Sequence, residues 1–317
     1  MLEQKISLAV VMNEQGEILL SQRKKGLHLE GLWEFPGGKV NSGESFKQAL
    51  RRELREELNV SLNRCRRLID FSYCYPDREL HFQVFIVLID ESITRHAEQQ
   101  NIRWIKKSQL DTLALPEAND VICNALLMPD LIMIADQKVL GDDIITLVEK
   151  QLKSDVRIVQ YRADANSTSE KIVTVGRQLK SLCDQYSATL VLNSNWQLWE
   201  QIQPHGVHIK SCDLQSLKDI QGELPFKVIS AACHSEQDAD LINQLAIDSV
   251  IIGSVLPTLT HPQQASLGWI EFSRLCQKIN KPVFAIGGCK PTDRDTSQVY
   301  GGHGIATIRG FLGKQYT

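Results

Sequence analysis

From Pro129 onward, eight short apolar segments recur, at 131–135, 156–161, 189–192, 207–209, 227–231, 249–252, 283–286 and 304–308, and each precedes a helical stretch. Apolar strands that alternate with helices form parallel sheets covered on both faces, and eight such units close most simply into a (β/α)8 barrel. Only nine residues follow the last segment. An eighth helix of ordinary length is therefore not expected. Apolar surface beside the first and eighth strands then needs cover, from the N-terminal region or from a second subunit, so a homodimer through the barrel is one expectation.

The first half follows a different pattern. An apolar run at 6–12 leads into the turn Asn13-Glu14-Gln15-Gly16 and a strand at 18–21, and a β-rich run occupies 80–89. One strongly patterned helix is predicted at 45–58 and a closing helix at 120–127, which makes this half α+β. The two patterns meet at 127–130, where Met128-Pro129 ends a helix before a new buried strand. Two domains are expected, 1–128 and 131–317, joined by a linker short enough for them to touch.

Bulk properties narrow the function. The 317 residues are 43% apolar and 23% charged, with a net charge of −3. No broad basic field is available for a nucleic-acid polymer, so a small-molecule substrate is expected. The N-terminus lacks the layout of a signal peptide and no apolar run approaches a membrane span, so the cytoplasm is the expected location and no membrane partner is expected. Eight cysteines are scattered without CxxC pairs and read as small apolar residues.

Residues 38–60, GKVNSGESFKQALRRELREELNV, carry the chemistry. On a helix Glu53, Glu56 and Glu57 stand at i, i+3 and i+4, so their carboxylates share a face, while Phe46, Leu50, Leu54 and Leu58 form an adjoining apolar stripe. Clustered carboxylates with no lysine on their face repel one another, and a hard divalent cation relieves the repulsion while bridging to substrate phosphates. A solvated acidic face is the bland alternative for an isolated ExxEE. The longer spacing resembles the Nudix box, G-x5-E-x7-R-E-U-x-E-E-x-G-U, with Asn59 in place of the last glycine. Asn tolerates the left-handed conformation needed there, so the geometry is expected to survive. The resemblance implies Mg2+ (or Mn2+) held by the Gly37 carbonyl, Glu53, Glu56 and Glu57, with Glu98 approaching the cluster. It also implies Glu53 or Glu98 as general base, with the choice between them open.

Residues 6–123 further resemble the MutT family, which removes oxidised guanine nucleotides. The matching segments are Leu32-Trp33-Glu34-Phe35-Pro36-Gly37-Gly38-Lys39, Tyr75-Pro76-Asp77-Arg78 and Pro116-Glu117-Ala118-Asn119. The resemblance places Arg23, His28, Glu34, Phe35, Pro36, Gly37, Arg78 and Asn119 against a nucleotide. Asn119 would read the altered purine edge through an amide that both donates and accepts. Each also has a plain structural reading: Phe35 as core, Arg23 as surface charge, Asn119 as a helix N-cap. Attack of water at an inner phosphorus would give a nucleoside monophosphate and pyrophosphate.

Residues 131–312 resemble the thiamine-phosphate synthase and TenI barrels through Gln160-Tyr161-Arg162, Leu192-Asn193, Gly206-Val207-His208, the 253–260 segment and Gly287-Gly288. The ligand set implied is Gln160, Arg162, Asn193, Asp213, Thr258, Thr260, Gly287 and Gly288, the last two bringing backbone N–H groups to a phosphate. Tight turns alone would also explain the glycines. The departures weigh more. Asp164, Ser194, Ala232 and His261 stand where a synthase has lysine, a magnesium carboxylate, serine and lysine. Cationic stabilisation of a leaving pyrophosphate is thereby depleted. Three readings stay open: an oxidised-nucleotide pyrophosphatase with a degenerate barrel, a pyrophosphatase for thiamine-related pyrophosphates, and a barrel that serves as a non-catalytic ligand-binding or regulatory module.

Overall fold

The computed structural model describes the chain except residues 1–3, 24–25, 27–29, 63–64, 77, 90–92, 94–100, 195, 221–225, 259–264 and 313–317. It divides into two compact units, Met1–Met128 and Pro129–Thr317.

In the first unit the strands are β1 (Gln4–Met12), β2 (Ile18–Gln22), β3 (Trp33–Glu34), β4 (Gly37–Lys39), β5 (Cys65–Cys74), β6 (Glu79–Leu88) and β7 (Ile102–Ile105); the helices are α1 (Phe46–Leu58) and α2 (Asn119–Leu127). The sheet runs β3-β2-β1-β6-β5, with β4 added to β1 and β7 to β2. β1 and β6 are parallel, in register from Gln4↔Leu80 to Met12↔Leu88.

Period-two alternation along β1 decides what each face packs against. Ala9 and Val11 join Phe85, Val87 and the α1 residues Leu50, Leu54 and Leu58. Leu8 and Val10 join Phe82, Val84 and the α2 residues Val121, Ile122 and Ala125. The stripe read from sequence thus buries α1 on one face of the sheet, each fully buried leucine stabilising it by about 2 kcal/mol. α1 begins at a capping box, in which Ser45 accepts from the Gln48 amide at 3.3 Å and Gln48 accepts from the Ser45 amide at 2.8 Å. It ends at Asn59 with φ 55° and ψ 35°, the left-handed conformation expected of the residue in the glycine position.

The second unit is a closed barrel of eight parallel strands: β8 (Leu131–Asp136), β9 (Ile158–Arg162), β10 (Thr189–Asn193), β11 (Gly206–Ile209), β12 (Val228–Cys233), β13 (Ser249–Ile252), β14 (Val283–Ala285) and β15 (Gly304–Thr307). All eight segments read as strands are strands, and pairing of β15 with β8 closes the ring. Alternation splits each strand. Val159 and Tyr161 pack outward with helix residues such as Val148, Ile172 and Leu179, which turns Gln160 to the interior.

After β15 the described chain makes a single 3-10 turn, Arg309–Phe311. Phe311 and Leu312 pack against the cluster containing Met133, Leu140 and Val148, and the Gln151 side chain donates to the Phe311 carbonyl at 3.4 Å. Part of the surface left by the short eighth unit is therefore covered by the tail itself, a cover that the sequence reading had assigned to other elements. Among the described residues no helix is long and apolar enough to cross a membrane.

Candidate active site

The exposed flank of α1 meets β4. Glu57 accepts a hydrogen bond from the Gly37 amide at 3.1 Å. The Glu53 carboxylate lies so close to Gly38 that any β-carbon there would overlap it, and a β-carbon at Gly37 would overlap the Ser7 carbonyl. Both glycines are thus needed for close approach, and Gly37 also has φ +134°. Two carboxylates converge on one dipeptide.

Arg52 ties this region together. Its guanidinium donates to Glu44 at 2.9 Å through two nitrogens, to Glu53 at 2.8 Å, to Glu56 at 3.4 Å and to the Lys39 carbonyl at 2.9 Å. The Arg52 hydrogen bonds, with one from the Asn41 amide, hold the Glu44 carboxyl down to about 2. Reciprocally, Glu44 and Glu53 raise the Arg52 pKa. Spacing alone implies repulsion among the glutamates and no role for the box arginine. In the structure that arginine supplies the countercharge. Its signal was its fixed place beside Glu53 in the motif.

Among the described residues no three His, Cys, Asp or Glu side chains stand together as a metal group. Glu56 is 55% exposed and tied to Arg52, whereas Glu53 is 15% exposed. Of the three glutamates, Glu53 and Glu57 converge on β4, and the more exposed Glu56 joins them through Arg52. The donor chemistry still fits a hard divalent cation: carboxylate oxygens at Glu53 and Glu57, with peptide carbonyls of β4 alongside. Glu98 and His28 lie outside the described residues.

Beside this flank a cleft of ≈ 260 Å³ opens, lined by Arg23, Glu34, Phe35, Gly37, Arg78 and Asn119 together with Gln4, Lys39, Tyr75, Leu80 and Ala118. Six of the eight residues assigned to the nucleotide meet here although their positions span almost one hundred residues of chain. Pro36 is buried and its carbonyl accepts from the Ala9 amide at 2.8 Å, so it serves the β-ladder and does not line the cleft. Phe35, 1% exposed, is core first and the floor of the cleft second.

Arg23 is ion-paired with Glu34, and burial outweighs that pairing to raise the Glu34 carboxyl. Asn119 is 5% exposed. It is not the N-cap of α2: Ala118 holds that place, in helical conformation and without a side-chain cap bond. No hydrogen bond of the Asn119 side chain occurs among the described residues, although its backbone amide donates to the Pro116 carbonyl at 2.8 Å.

At the mouth of the barrel several polar groups are paired with one another. Arg162 pairs with Asp136 at 3.2 Å, and Asp136 also accepts from the Lys138 and Val139 amides. Asn193 accepts from the Ser194 hydroxyl at 3.1 Å. Ser194 itself sits at φ 58°. The cross-strand row Asn193–His208–Ser230 continues around the wall, with His208 Nδ1 at 2.9 Å from Ser230 Oγ. Burial, with a smaller contribution from the charge of His234, pushes the His208 imidazole down to about 4, so it is neutral at neutral pH. His208 was quoted in a motif but not assigned to the site.

Gln160 is buried, Asp213 sits in the turn after β11, and Thr258 follows β13. Gly287 and Gly288 have φ +93° and +66°, and a β-carbon at either would overlap the 254–257 segment. That close approach by itself requires both glycines. Thr260 and His261 lie outside the described residues. Asp164 caps its own turn, accepting from the Asn166 amide at 3.0 Å.

A carboxylate helix laid against a Gly-Gly strand beside an open cleft defines the hydrolase class, and the closed parallel ring defines the second. The chain belongs to the thiamine monophosphate synthase (TMP-TENI) family through residues 131–311 and to the NUDIX family through residues 7–125. It is 35% identical over 124 residues to the 8-oxo-dGTP diphosphatase of Haemophilus influenzae, covering 38% of this chain and 90% of the relative. It is 26% identical over 187 residues to a putative thiamine-phosphate synthase of Aquifex aeolicus, covering 58% of this chain and 98% of the relative. The thiamine phosphate pyrophosphorylase structure from Pyrococcus furiosus matches with TM-score 0.51 and 21% identity over 59% of this chain and 90% of that one, a likeness of fold. The protein is an enzyme, a Nudix hydrolase of the MutT-like kind.

Proposed function

We propose that the N-terminal domain hydrolyses an oxidised purine nucleoside triphosphate, 8-oxo-dGTP foremost, to the monophosphate and pyrophosphate. The observation that carries this reading is the Asn119 amide, buried at the wall of the cleft and without a side-chain partner among the described residues. A donor–acceptor pair held there discriminates a purine whose N7 and O8 edge has changed, because the wrong edge leaves a buried group unpaired. Arg78 lines the same cleft and offers charge for the phosphates.

Glu53 and Glu57, with the Gly37 carbonyl, would hold Mg2+ (Mn2+ as a substitute), which when bound supplies charge neutralisation for the phosphates. The chain's own part is then to position. Arg52 holds Glu53 and Glu44 in place, and β4 brings two peptide units against the carboxylates. Glu53 or Glu98 receives the proton of the attacking water.

For the barrel, the proposal is a domain that binds a phosphorylated ligand without making thiamine phosphate. The pairing of Arg162 with Asp136 and the change from carboxylate to Ser194 support it. The family match of the barrel favours a second substrate, a thiamine-related pyrophosphate, for the hydrolase. One experiment separates these readings: the full chain with Mg2+ on 8-oxo-dGTP, dGTP and thiamine pyrophosphate. A kcat/KM for 8-oxo-dGTP at least ~10-fold above dGTP is expected. Preference for thiamine pyrophosphate would replace the first reading with the second.

A further inference from the structure

The start of α2 lacks a cap of its own. The first amides of a helix have no partner within it, and Ala118 at the N-cap offers no side-chain acceptor. Two tyrosines of the β5–β6 hairpin stand at this spot. Tyr73 donates to Glu117 Oε2 at 3.3 Å. Tyr75 stands beside Tyr73 and lines the cleft with Ala118.

The two rings are held in turn, 4.9 Å apart and tilted by 55°, and the Arg78 guanidinium stands 5.9 Å from the centre of the Tyr75 ring. The hairpin itself is closed by the Tyr75 amide donating to the Arg78 carbonyl at 2.8 Å. Tyr75, Arg78, Ala118 and Asn119 all line the cleft. Ring packing against the cluster that contains Ala118 would be served equally by phenylalanine; the Tyr73 hydroxyl adds the bond to residue 117.

We propose that Tyr73, buttressed by the Tyr75 ring, is a positioning residue that straps the segment carrying Asn119 to the β5–β6 hairpin and so sets how sharply the cleft discriminates an oxidised from an ordinary purine nucleotide. This rests on the base-reading assigned to Asn119. An amide discriminates only when its donor and acceptor are held in one orientation, and a wall that drifts admits either edge. The Tyr73 hydroxyl holds the side chain of Glu117, two residues before Asn119, and Tyr75 stands with Ala118 on the cleft wall.

The test replaces hydroxyls and keeps rings, in the full chain with Mg2+. Tyr73→Phe/Tyr75→Phe is expected to lower the ratio of kcat/KM for 8-oxo-dGTP over dGTP by about fivefold, the worth of roughly 1 kcal/mol of lost hydrogen bonding. The loss should enter through KM for the oxidised nucleotide, with kcat within ~2-fold of wild type. Amide hydrogen exchange across 117–121 should quicken, since a strap raises the local opening free energy. Glu117→Gln retains an acceptor for Tyr73 and should stay near wild type. On an Asn119→Ala background the phenylalanine pair should change the ratio no further.

An unchanged ratio in the phenylalanine pair, where Asn119→Ala alone erodes it, overturns the strap and leaves the base-reading intact. Equal loss of kcat on both nucleotides overturns it in favour of a plain structural role. If Asn119→Ala itself leaves the ratio unmoved, the base-reading falls and the strap falls with it.

Discussion

Each half of the molecule departs from the pattern of its family, and the departures differ in kind. In α1 the one change is Asn59 for glycine, and the position supplies a dihedral angle. The residue adopts φ 55° and the helix ends where a glycine would end it. In the barrel, Ser194 also adopts a left-handed conformation, φ 58°. Asn and Asp visit that region more readily than serine does, which fits the reading that a carboxylate position has kept its backbone shape and changed its side chain. Asp164 reverses the charge of a lysine position, and Ala232 removes a hydroxyl. A substitution therefore weighs according to what its position supplies. A lost dihedral preference is absorbed for a fraction of a kcal/mol; a lost charge at a departing pyrophosphate is not.

The sharpest way to break this contrast is to give the full chain both substrates of a thiamine-phosphate synthase with Mg2+. Turnover at least ~1000-fold below that of a dedicated synthase is expected, because a single missing electrostatic donor in such a site costs 10²–10³. Rates comparable to the dedicated enzyme would mean that the barrel's changed charges do not matter and the contrast is false.

Glu53→Gln carries the next largest effect. It removes charge from the carboxylate that Arg52 and Gly38 enclose while leaving Leu50, Leu54 and Leu58 packed. A fall in kcat of about 100-fold is expected, near 3 kcal/mol, with the melting temperature little changed. Steady-state kinetics within about threefold of wild type, well under 1 kcal/mol, would sink the assignment of this flank as the reacting site.

The two halves were also unequally legible. All eight barrel strands were readable because parallel strands buried on both faces stand out as apolar runs, and only their ends moved, as where the run at 156–161 became Ile158–Arg162. α1 was readable from its apolar stripe. The cleft was legible only as a resemblance. Its walls come from β1, β3, β4, the β5–β6 hairpin and the start of α2, which parallel pairing of β1 with β6 brings together across some seventy residues of sequence. No local pattern encodes that. The tyrosine strap was hidden for the same reason, and the bridging role of Arg52 because it depends on Glu44, in a loop eight residues away. Asn119 looked like a helix cap because cap and base-reader share a chemistry; only the structure shows Ala118 in the capping place.

Asn119→Ala sharpens the contrast from the side of the cleft. Its side chain has no partner within the described protein, unlike Asn193 or Arg162 at the barrel mouth, so removing it should cost the ligand and not the fold. Preference for 8-oxo-dGTP over dGTP is expected to fall about tenfold, somewhat above 1 kcal/mol, with unfolding midpoints unchanged. Equal loss on both nucleotides would make Asn119 a structural residue and the cleft no more open than the barrel mouth.

The smallest effect is at Asn59, and it tests the premise that this departure is one of conformation alone. Glycine has no β-carbon to oppose a positive φ, so Asn59→Gly is expected to stabilise the N-terminal unit by roughly 0.5 kcal/mol. Asn59→Ala, which has neither glycine's freedom nor the local hydrogen bonding that eases asparagine into the left-handed region, is expected to destabilise it by about 1 kcal/mol. Urea midpoints of the transition assigned to that unit measure both. The activity arm decides the matter: kcat should be the same within ~2-fold for Asn and Gly, since residue 59 supplies the backbone turn that lets Val60 donate to the Leu54 carbonyl at 3.2 Å and makes no contact with the carboxylates. If glycine raised kcat severalfold with no matching change in stability, the position would be supplying something to the reaction beyond a dihedral angle. The distinction between absorbed and unabsorbed departures would then fail on the side where it looked safest.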